Sequence, residues 1–227
     1  MDILTHAISG LAVGTVVVGV SKRKMPENLK IIGFSGLGGI LPDIDVISLW
    51  SRFDGTFGKL FGLIYSGREI YSMKFWYSHH GFFHSIVAGL LFTFCIGLIF
   101  YLLKKQKNGF LSELKNNLPL LTGFFLGFLI HLIQDMPTPS SSWGGVRLFF
   151  PFETYIGGTG EIWWWNNYDI FLIMLGVLLT NSLVLTIQHL FKLEIGKMTV
   201  FFFFVGVILC FIQIKNRKYD FNRQGWC

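Results

Sequence analysis

The chain has 227 residues, of which 52% are hydrophobic and only 14% are charged, and its formal net charge is +6. Soluble globular domains carry about 25% charged residues, so this composition excludes an ordinary soluble domain and indicates a polytopic membrane protein. The excess of positive charge raises nucleic-acid binding as an alternative. The basic residues are scattered among loops rather than gathered on one face, so we expect no nucleic-acid partner.

Six stretches of the chain approach the length of about 20 apolar residues that crosses a bilayer core. They cover residues 3–20, 29–49, 82–103, 118–136, 168–190 and 198–214. The second contains Pro42, Asp43 and Asp45, and the sixth is short, so these two are the weakest candidates. The predicted fold is therefore all-α, a polytopic bundle of five or six transmembrane helices. We expect a membrane domain over residues 1–167, followed by a C-terminal transmembrane hairpin and a basic tail over residues 168–227.

The first segment, MDILTHAISG, begins with Met1 and Asp2 and has no basic stretch before its apolar run. It therefore lacks the pattern of a cleavable signal, and we expect the first helix to remain in the protein. The three cysteines, Cys95, Cys210 and Cys227, have no metal-binding or redox spacing. We interpret them as structural or neutral.

The second segment, IIGFSGLGGILPDID, contains Gly33, Gly36, Gly38 and Gly39. Small residues let neighbouring helices approach closely in a membrane, so this segment is predicted to be a packed central helix. A second local feature is the tryptophan cluster at residues 163–165, which ends a long loop rich in Ser, Gly and Pro. Its simplest interpretation is an interfacial aromatic belt, and substrate stacking is the alternative.

Charge placement predicts the orientation in the membrane. Assigning the loops alternately to the two sides places ten cations in three short loops on one side. They are Lys22, Arg23, Lys24, Lys30, Lys104, Lys105, Lys107, Lys115, Lys192 and Lys197. The positive-inside rule puts these loops in the cytoplasm and the N-terminus outside. The basic tail KNRKYDFNRQ conflicts with this orientation, so either the last helix does not cross or the tail is tolerated on the outer side.

Histidines and aspartates cluster at the predicted outer ends of four segments. His131 and Asp135 are four residues apart on one helical face. Asp43 and Asp45 follow Pro42, where an i, i+2 spacing in non-helical backbone would point both carboxylates the same way. The remaining members are His79, His80 and His84 before the third helix, and Asp2 and His6 at the start of the first. Five of the six histidines therefore converge on one membrane face, with His189 left out.

This convergence predicts a metal site, because ionisable groups at membrane depth are costly and mark function. Mixed imidazole and carboxylate ligands suit zinc, manganese or iron, and several carboxylates suit two ions. Taken singly, each group has a simpler explanation. Asp43 and Asp45 could cap a turn, His84 could bond between helices, and Asp2 could be a helix N-cap. The combination of four segments favours the metal site.

Four blocks of this sequence resemble, in order, the signature blocks of the YdjM-like family of bacterial inner-membrane metal-dependent hydrolases. The blocks are MDILTHAISG, LGGILPDID, HHGFFHS and HLIQDMPTPSSSWGGVRLFFPF, and they lie within residues 1–152. That family is in turn distantly similar to zinc-dependent phospholipase C and the single-strand-specific zinc nucleases. The resemblance implies two or more divalent ions, most simply zinc, with ligands at His6, Asp43, Asp45, His79, His84, His131 and Asp135.

Other residues take roles that the resemblance implies or leaves open. Thr138 and the loop to Phe152 are expected to shape the pocket. His80 stands where the family usually has arginine, so we interpret it as a group behind the ligands or a proton donor, with His79 reaching in from a loop. The i, i+4 spacing of His80 and His84 favours His80 as the ligand instead. Arg147 could bind a substrate phosphate or a lipid headgroup.

The expected activity is hydrolysis of a phosphoester in a lipid or lipid-linked substrate, with Asp45 or Asp43 orienting a metal-activated water. The resemblance implies a multi-pass protein of the bacterial inner membrane, and charge placement puts the metal site on its outer side. No obligate protein partner is evident from the sequence. Two alternatives are a membrane scaffold with a structural metal and a metal transporter. A transporter should also carry ligands at the midplane and the other mouth.

Overall fold

A computed structural model of the protein shows a bundle of helices. It describes residues 1–21, 24–104, 109–138, 145–163 and 166–223, with side chains described as far as residue 217. The α-helices are α1 (Ile3–Ser21), α2 (Met25–Ile40), α3 (Gly67–Ser72), α4 (Ile86–Leu103), α5 (Phe110–Asn116), α6 (Leu118–Asp135), α7 (Tyr168–Phe191) and α8 (Met198–Arg223). Among the described residues there is no β-strand, which confirms the all-α prediction. Lys22, Arg23, Lys105, Lys107, Trp164, Trp165 and Cys227 lie outside the described residues.

Six helices are long and apolar enough to cross a membrane, so both weak candidates qualify. They are Ile3–Ser21, Met25–Leu49, Ile86–Leu103, Leu118–Asp135, Tyr168–Phe191 and Met198–Arg217. In the sixth, the guanidinium of Arg217 pairs with the carboxylate of Asp169 at the start of α7. The end of α8 therefore lies beside the start of α7, and the last helix runs the full length of the bundle.

The helix boundaries follow from local chemistry. The third span begins at Ile86 rather than at residue 82, because the Ser85 hydroxyl accepts a hydrogen bond from the Ala88 N–H (3.1 Å) and caps α4. Residues Phe82–His84 form a short 3-10 turn before that cap. The second span changes from α-helix to 3-10 helix at Leu41, next to Pro42, whose ring nitrogen cannot donate an intrahelical hydrogen bond.

Helices α1, α2 and α6 form a central trio. Helix α7 packs against α1, α8 packs against α7, and α4 packs against α6. The glycines of α2 permit this arrangement. A Cβ at Gly39 would lie 2.5 Å from the His6 carbonyl oxygen of α1, and one at Gly38 would lie 2.1 Å from the Phe124 carbonyl oxygen of α6. Such distances exclude any side chain, so the predicted glycine packing is present.

Not all of the α2 glycines share this role. Gly36 faces Leu11 of α1, whereas a Cβ at Gly33 would meet no described atom within 4 Å. The packing expectation is therefore wrong for Gly33. Helices α1 and α7 also share a polar contact, because the Asn181 side chain of α7 donates to the Thr15 hydroxyl of α1 (2.9 Å).

Candidate metal centre

Histidine and aspartate side chains from four segments of the chain lie together at one end of the bundle. The structure brings together His6, Asp43, Asp45, His79, His80, His84, His131 and Asp135. Each of these residues is buried except Asp43, whose side chain is 12% exposed. The sequence-predicted candidates from all four segments therefore share one site. His189 lies on α7 at the other end of the bundle, among the residues around the α7–α8 turn.

Helix α1 contributes His6 and is capped by Asp2. The Asp2 carboxylate accepts hydrogen bonds from the main-chain N–H groups of Leu4 (2.9 Å) and Thr5 (3.0 Å). Asp2 therefore acts as the N-cap of α1, which is the simpler of the two roles considered for it from the sequence. The cap fixes the first turn of α1, and His6 follows within that turn, next to Asp135.

The backbone around Asp43 and Asp45 is helical rather than extended, so the expected reason for their convergence is wrong. Residues Leu41–Leu49 form a 3-10 helix, in which successive side chains are about 120° apart. Asp43 and Asp45 therefore approach His84 from different sides. Oδ1 of Asp43 lies 3.7 Å from Nε2 of His84, and Oδ2 of Asp45 lies 3.1 Å from Nδ1 of the same ring.

The third block places its three histidines by an irregular backbone. His80 has a positive φ of 62°, a left-handed conformation that is uncommon for residues other than glycine. Its main-chain oxygen accepts a hydrogen bond from the Arg147 N–H (3.0 Å), which ties this turn to the loop after α6. Nδ1 of His79 lies 2.8 Å from Oδ1 of Asp45. His79 thus reaches in from the loop, beside Asp45, before the 3-10 turn begins.

Helix α6 contributes His131 and Asp135 one turn apart. Nε2 of His131 lies 2.9 Å from Oδ2 of Asp135 and 3.2 Å from Nε2 of His84. Nδ1 of His131 donates to the Gly39 carbonyl oxygen of α2 (2.7 Å). The close α2–α6 packing that Gly38 permits is what brings this carbonyl within reach of the imidazole.

Four ligand atoms have the spacing of a tetrahedral metal site. They belong to Asp43, His84, His131 and Asp135, and they all lie within 4.8 Å of one another. Five of the distances between these ligand atoms run from 2.9 Å, between His131 and Asp135, to 3.7 Å, between His84 and Asp43. A tetrahedral zinc ion with bonds of about 2.0–2.1 Å has ligand atoms about 3.3–3.4 Å apart. The donor set and its dimensions therefore fit a divalent ion.

Two further groups of three ligands adjoin this set. One consists of Asp43, Asp45 and His79, and the other of His79, His80 and His84. Asp43 belongs both to the four-ligand set and to the first of these groups. A carboxylate shared in this way is the usual bridge between two metal ions.

Hydrogen bonds to acceptors behind the cluster fix which ring nitrogen of three histidines faces it. Nδ1 of His131 lies against the Gly39 carbonyl, Nδ1 of His80 lies 2.9 Å from the Gly145 carbonyl, and Nδ1 of His6 lies 3.1 Å from Oε1 of Gln134. Because these oxygens only accept, each Nδ1 carries the proton and each Nε2 presents a lone pair. Partners behind the ligands orient metal-binding histidines in this way.

The charges of the cluster also favour the binding of a cation. Asp43, Asp45 and Asp135 bring three carboxylates into a buried site. Among the described residues their ion-pair partners are histidines and the main-chain nitrogen of Met1, with no lysine or arginine. Buried carboxylates are stable only when paired or bound to metal. Nε2 of His6 is buried without a hydrogen-bond partner among the described residues, 3.2 Å from Oδ1 of Asp135.

Two imidazoles outside the membrane-spanning helices, those of His80 and His84, have pKa values that their surroundings shift in opposite directions. Burial and the neighbouring His79 and His84 hold the pKa of His80 well below its usual value. Burial alone would also lower the pKa of His84, but the carboxylates of Asp45, Asp135 and Asp43 outweigh it and raise that pKa well above its usual value. The carboxylates therefore favour a positive charge at His84, which a bound cation could supply in place of the proton, whereas His80 stays neutral.

Some contributing residues were not predicted from the sequence. Gln134 accepts from His6 and donates to the Ser9 hydroxyl (2.6 Å), and so links α6 to α1 behind the cluster. The Tyr71 ring stacks on His79 with 4.6 Å between centroids. A polar Ser9 one turn after His6 is the sequence signal for the first of these. Tyr71 has no such signal, because it comes from α3 in a long loop.

The two predicted substrate-binding residues are engaged in structural contacts. The Thr138 hydroxyl donates to the Asp135 carbonyl oxygen (2.6 Å) at the end of α6. The Arg147 guanidinium donates to the carbonyl oxygens of Pro151 (2.7 Å) and Phe152 (2.8 Å) and lies over the Phe150 ring. Both side chains bond to main-chain carbonyl oxygens of their own neighbourhood, and their role toward a substrate stays a prediction.

The fold and the cluster together define a multi-pass helical membrane protein with a candidate metal centre near one end of its spans. The chain belongs to the YdjM inner membrane protein family, whose sequence model matches residues 1–219. No curated protein and no solved structure gives a match. The family match confirms the resemblance to YdjM-like inner-membrane proteins that four blocks show within residues 1–152 and extends it through α7 and most of α8. Metal-dependent hydrolysis stays a prediction. The more distant likeness to zinc phospholipases and nucleases stays a prediction, as does the division at residue 167.

Proposed function

We propose that this protein is a membrane-embedded, metal-dependent hydrolase that cleaves a phosphoester in a lipid or lipid-linked substrate. The observation that carries the proposal is the position of Asp43, which belongs both to the tetrahedral four-ligand set and to the group with Asp45 and His79. Two-metal sites with a shared carboxylate suit phosphoryl chemistry, because they stabilise both the attacking and the leaving oxygen of an in-line displacement.

The two ligand groups would have different tasks. The four-ligand set of Asp43, His84, His131 and Asp135 is complete for tetrahedral zinc, as structural sites are. The group of Asp43, Asp45 and His79 supplies three ligands and leaves a position for water, as catalytic sites do. When bound there, a divalent cation lowers the pKa of water toward about 7 and supplies hydroxide.

Protein groups around that position could manage the proton. Asp45 keeps its carboxylate between Nδ1 of His79 (2.8 Å) and Nδ1 of His84 (3.1 Å), so it can orient water and accept its proton. His80 adjoins the cluster, with Nε2 3.9 Å from Oδ2 of Asp135, and its lowered pKa means that its protonated form would readily donate a proton to a leaving group. Asp43, Asp45 and His80 are therefore the proposed catalytic residues. Asp43 acts through its ligand position.

The membrane location supports a lipid substrate. The ligands on α1, α6 and the second span lie at the ends of helices that qualify as membrane spans, where a lipid headgroup resides. A lipid can reach such a site by lateral diffusion. The short basic loops at the opposite end support placing the cluster on the outer side of the inner membrane.

Two alternatives make different predictions. A scaffold with a structural metal would need only the four-ligand set, and it would bind metal without turnover. A transporter would carry ligands along its pathway, whereas the described ligand groups all lie at one end of the bundle. The hydrolase is favoured because the ligands exceed what a structural ion requires.

The decisive experiment combines metal content with hydrolysis. The purified full chain is loaded with zinc or manganese and incubated with phosphatidic acid, phosphatidylglycerol and a polyprenyl pyrophosphate, and released phosphate and headgroup are measured. His131→Ala and Asp43→Asn should lower both metal content and turnover by at least about 100-fold, whereas His189→Ala should change neither. Bound metal without turnover on any substrate would favour the scaffold. Equal metal content in all variants would refute the metal site.

A further inference from the structure

A groove of about 650 Å³ opens at the end of the bundle opposite the His/Asp cluster. It lies between the end of α1, the start of α2, the end of α7 and the α7–α8 turn. We call it the basal groove. Its walls are apolar where the helices face each other, with Val18, Leu29, Ile32 and Leu185 among the lining residues. Its size is typical of small-molecule and lipid sites, which range from about 300 to 1,000 Å³.

The mouth of the basal groove is basic. Lys192 and Lys197 line it and are exposed, and they come from the turn that joins α7 to α8. Lys192 ends α7 in a left-handed conformation with φ 55°, which redirects the chain around the mouth. Glu194 also lines the groove but has an interaction of its own within the protein. Two lysines against one engaged carboxylate leave the mouth attractive to an anion.

The groove also contains a polar atom in need of a partner. Oδ1 of Asn28 on α2 is buried without a hydrogen-bond partner among the described residues. A buried acceptor of this kind is costly unless a donor reaches it. A hydroxyl group on a bound ligand would satisfy it, next to the apolar wall formed by Leu29.

The position of the groove identifies the occupant. Val18 and Val20 lie near the end of one membrane span and Met25 begins the next, so the groove lies where bilayer headgroups meet hydrocarbon. An apolar groove open at this level is accessible to lipid chains. Basic pockets between transmembrane helices bind anionic headgroups.

We propose that the basal groove binds an anionic glycerophospholipid, with its phosphate between Lys192 and Lys197 and an acyl chain along Leu29 and Leu185. The site is separate from the His/Asp cluster, since α1 and α7 each run the length of the bundle between the two. The bound lipid contacts both the α1–α2 hairpin and the α7–α8 hairpin, which together line the groove. This inference does not depend on the proposed hydrolase activity.

The test measures lipid preference on the full chain. Delipidated protein in neutral detergent is titrated with phosphatidylglycerol or phosphatidylcholine, and bound lipids are counted by native mass spectrometry. Phosphatidylglycerol should bind about 10-fold more tightly. The double variant Lys192→Gln/Lys197→Gln should lose this preference. The matched variant Lys24→Gln/Lys30→Gln should keep it, because these exposed lysines lie at the same end but are not among the described groove-lining residues.

A second variant separates a built site from general surface attraction. Ser182 lines the groove and is exposed, so Ser182→Trp should fill the groove while leaving every charge in place. Loss of tight phosphatidylglycerol binding in this variant supports the proposal. Unchanged binding would overturn it, since the lipid would then be held by surface charge alone. Equal affinity of the wild-type chain for both lipids would also overturn it. Unfolding midpoints measured without lipid check that each variant is folded.

Discussion

The central helices and the peripheral helices of this bundle differ in how much of their surface is buried. In the most apolar windows of α1, the α2 span and α6, 61%, 44% and 56% of the residues are buried. In those of α4, α7 and α8 the shares are 17%, 28% and 11%. Mean hydropathy also separates the two groups, at 1.4–1.9 in the central helices and 2.2–2.6 in the peripheral ones. The central helices are less apolar because they contain more small and polar residues.

Glycine and polar residues mark the central group. Gly10, Gly38, Gly39 and Gly127 bring the backbones of α1, α2 and α6 into contact, and the same helices carry most of the ligand candidates. Transmembrane helices gain no hydrophobic energy from contact with each other, so close packing must come from small residues and polar bonds. The comparison teaches that the helices able to pack most tightly are the ones that hold the buried charges.

The largest expected difference between the two groups is in metal-dependent stability. A divalent ion that binds only the folded state stabilises it by about 4 kcal/mol at a thousandfold excess over its Kd. Zinc should therefore raise the unfolding temperature of chelator-treated wild type. It should not do so in His131→Ala, which lacks a central ligand. The control His189→Ala changes the same residue type on peripheral α7 and should respond like wild type. An equal rise in unfolding temperature for all three proteins would show that the central helices do not hold the metal.

Added side-chain volume should also separate the two groups. A Cβ at Gly127 of α6 would lie 2.0 Å from the Ser35 carbonyl oxygen of α2, and neither backbone can yield cheaply. We expect Gly127→Ala to lower the free energy of unfolding by about 1–3 kcal/mol. Gly176 of α7 has no described atom within 4 Å of an added Cβ, so Gly176→Ala should be neutral or stabilise by up to about 1 kcal/mol. Unfolding in mixed detergent micelles measures both. Similar losses at the two sites would contradict the glycine argument.

A smaller effect is expected where the central and peripheral groups meet. Asn181 of α7 is fully buried and donates to Thr15 (2.9 Å) and to the Thr199 carbonyl oxygen (3.2 Å). Interhelical hydrogen bonds in membranes contribute about 0.6 kcal/mol on average. Asn181→Leu should therefore cost about 1 kcal/mol, and the exposed neighbour variant Ser182→Leu should cost less. The same micelle unfolding assay applies, and a loss as large as that of Gly127→Ala would show that α7 belongs energetically with the central trio.

The smallest effect is expected at the outer edge, where α8 meets α7. The Arg217–Asp169 pair is partly exposed, with 21% and 32% of the side chains accessible. Exposed ion pairs contribute about 0–1 kcal/mol. Arg217→Gln should lower the free energy of unfolding within that range, and high salt should remove the difference from wild type. A larger, salt-independent loss would mean that the end of α8 is anchored by more than this ion pair.

Much of the architecture could be predicted from the chain alone. Six apolar stretches, the glycine-rich second segment and the ends of the helices that carry His131 and His6 all follow from residue type and spacing. The reason for the Asp43–Asp45 placement could not, since Pro42 ends an α-helix but does not dictate the 3-10 helix that follows. The choice between His79 and His80 as the ligand was equally open, because a left-handed residue at position 80 has no signature in sequence.

The sequence by itself predicted a polytopic membrane protein with five or six spans, whose histidines and aspartates gather at one end, because hydropathy and alternation of direction act along the chain. Only the tertiary structure decided which atoms meet. Ligand spacing depends on how closely α2 approaches α6, on carbonyl oxygens of Gly39 and Gly145 that lie far away in sequence, and on the turn at His80. The basal groove likewise exists only between packed hairpins, since no single helix contains it.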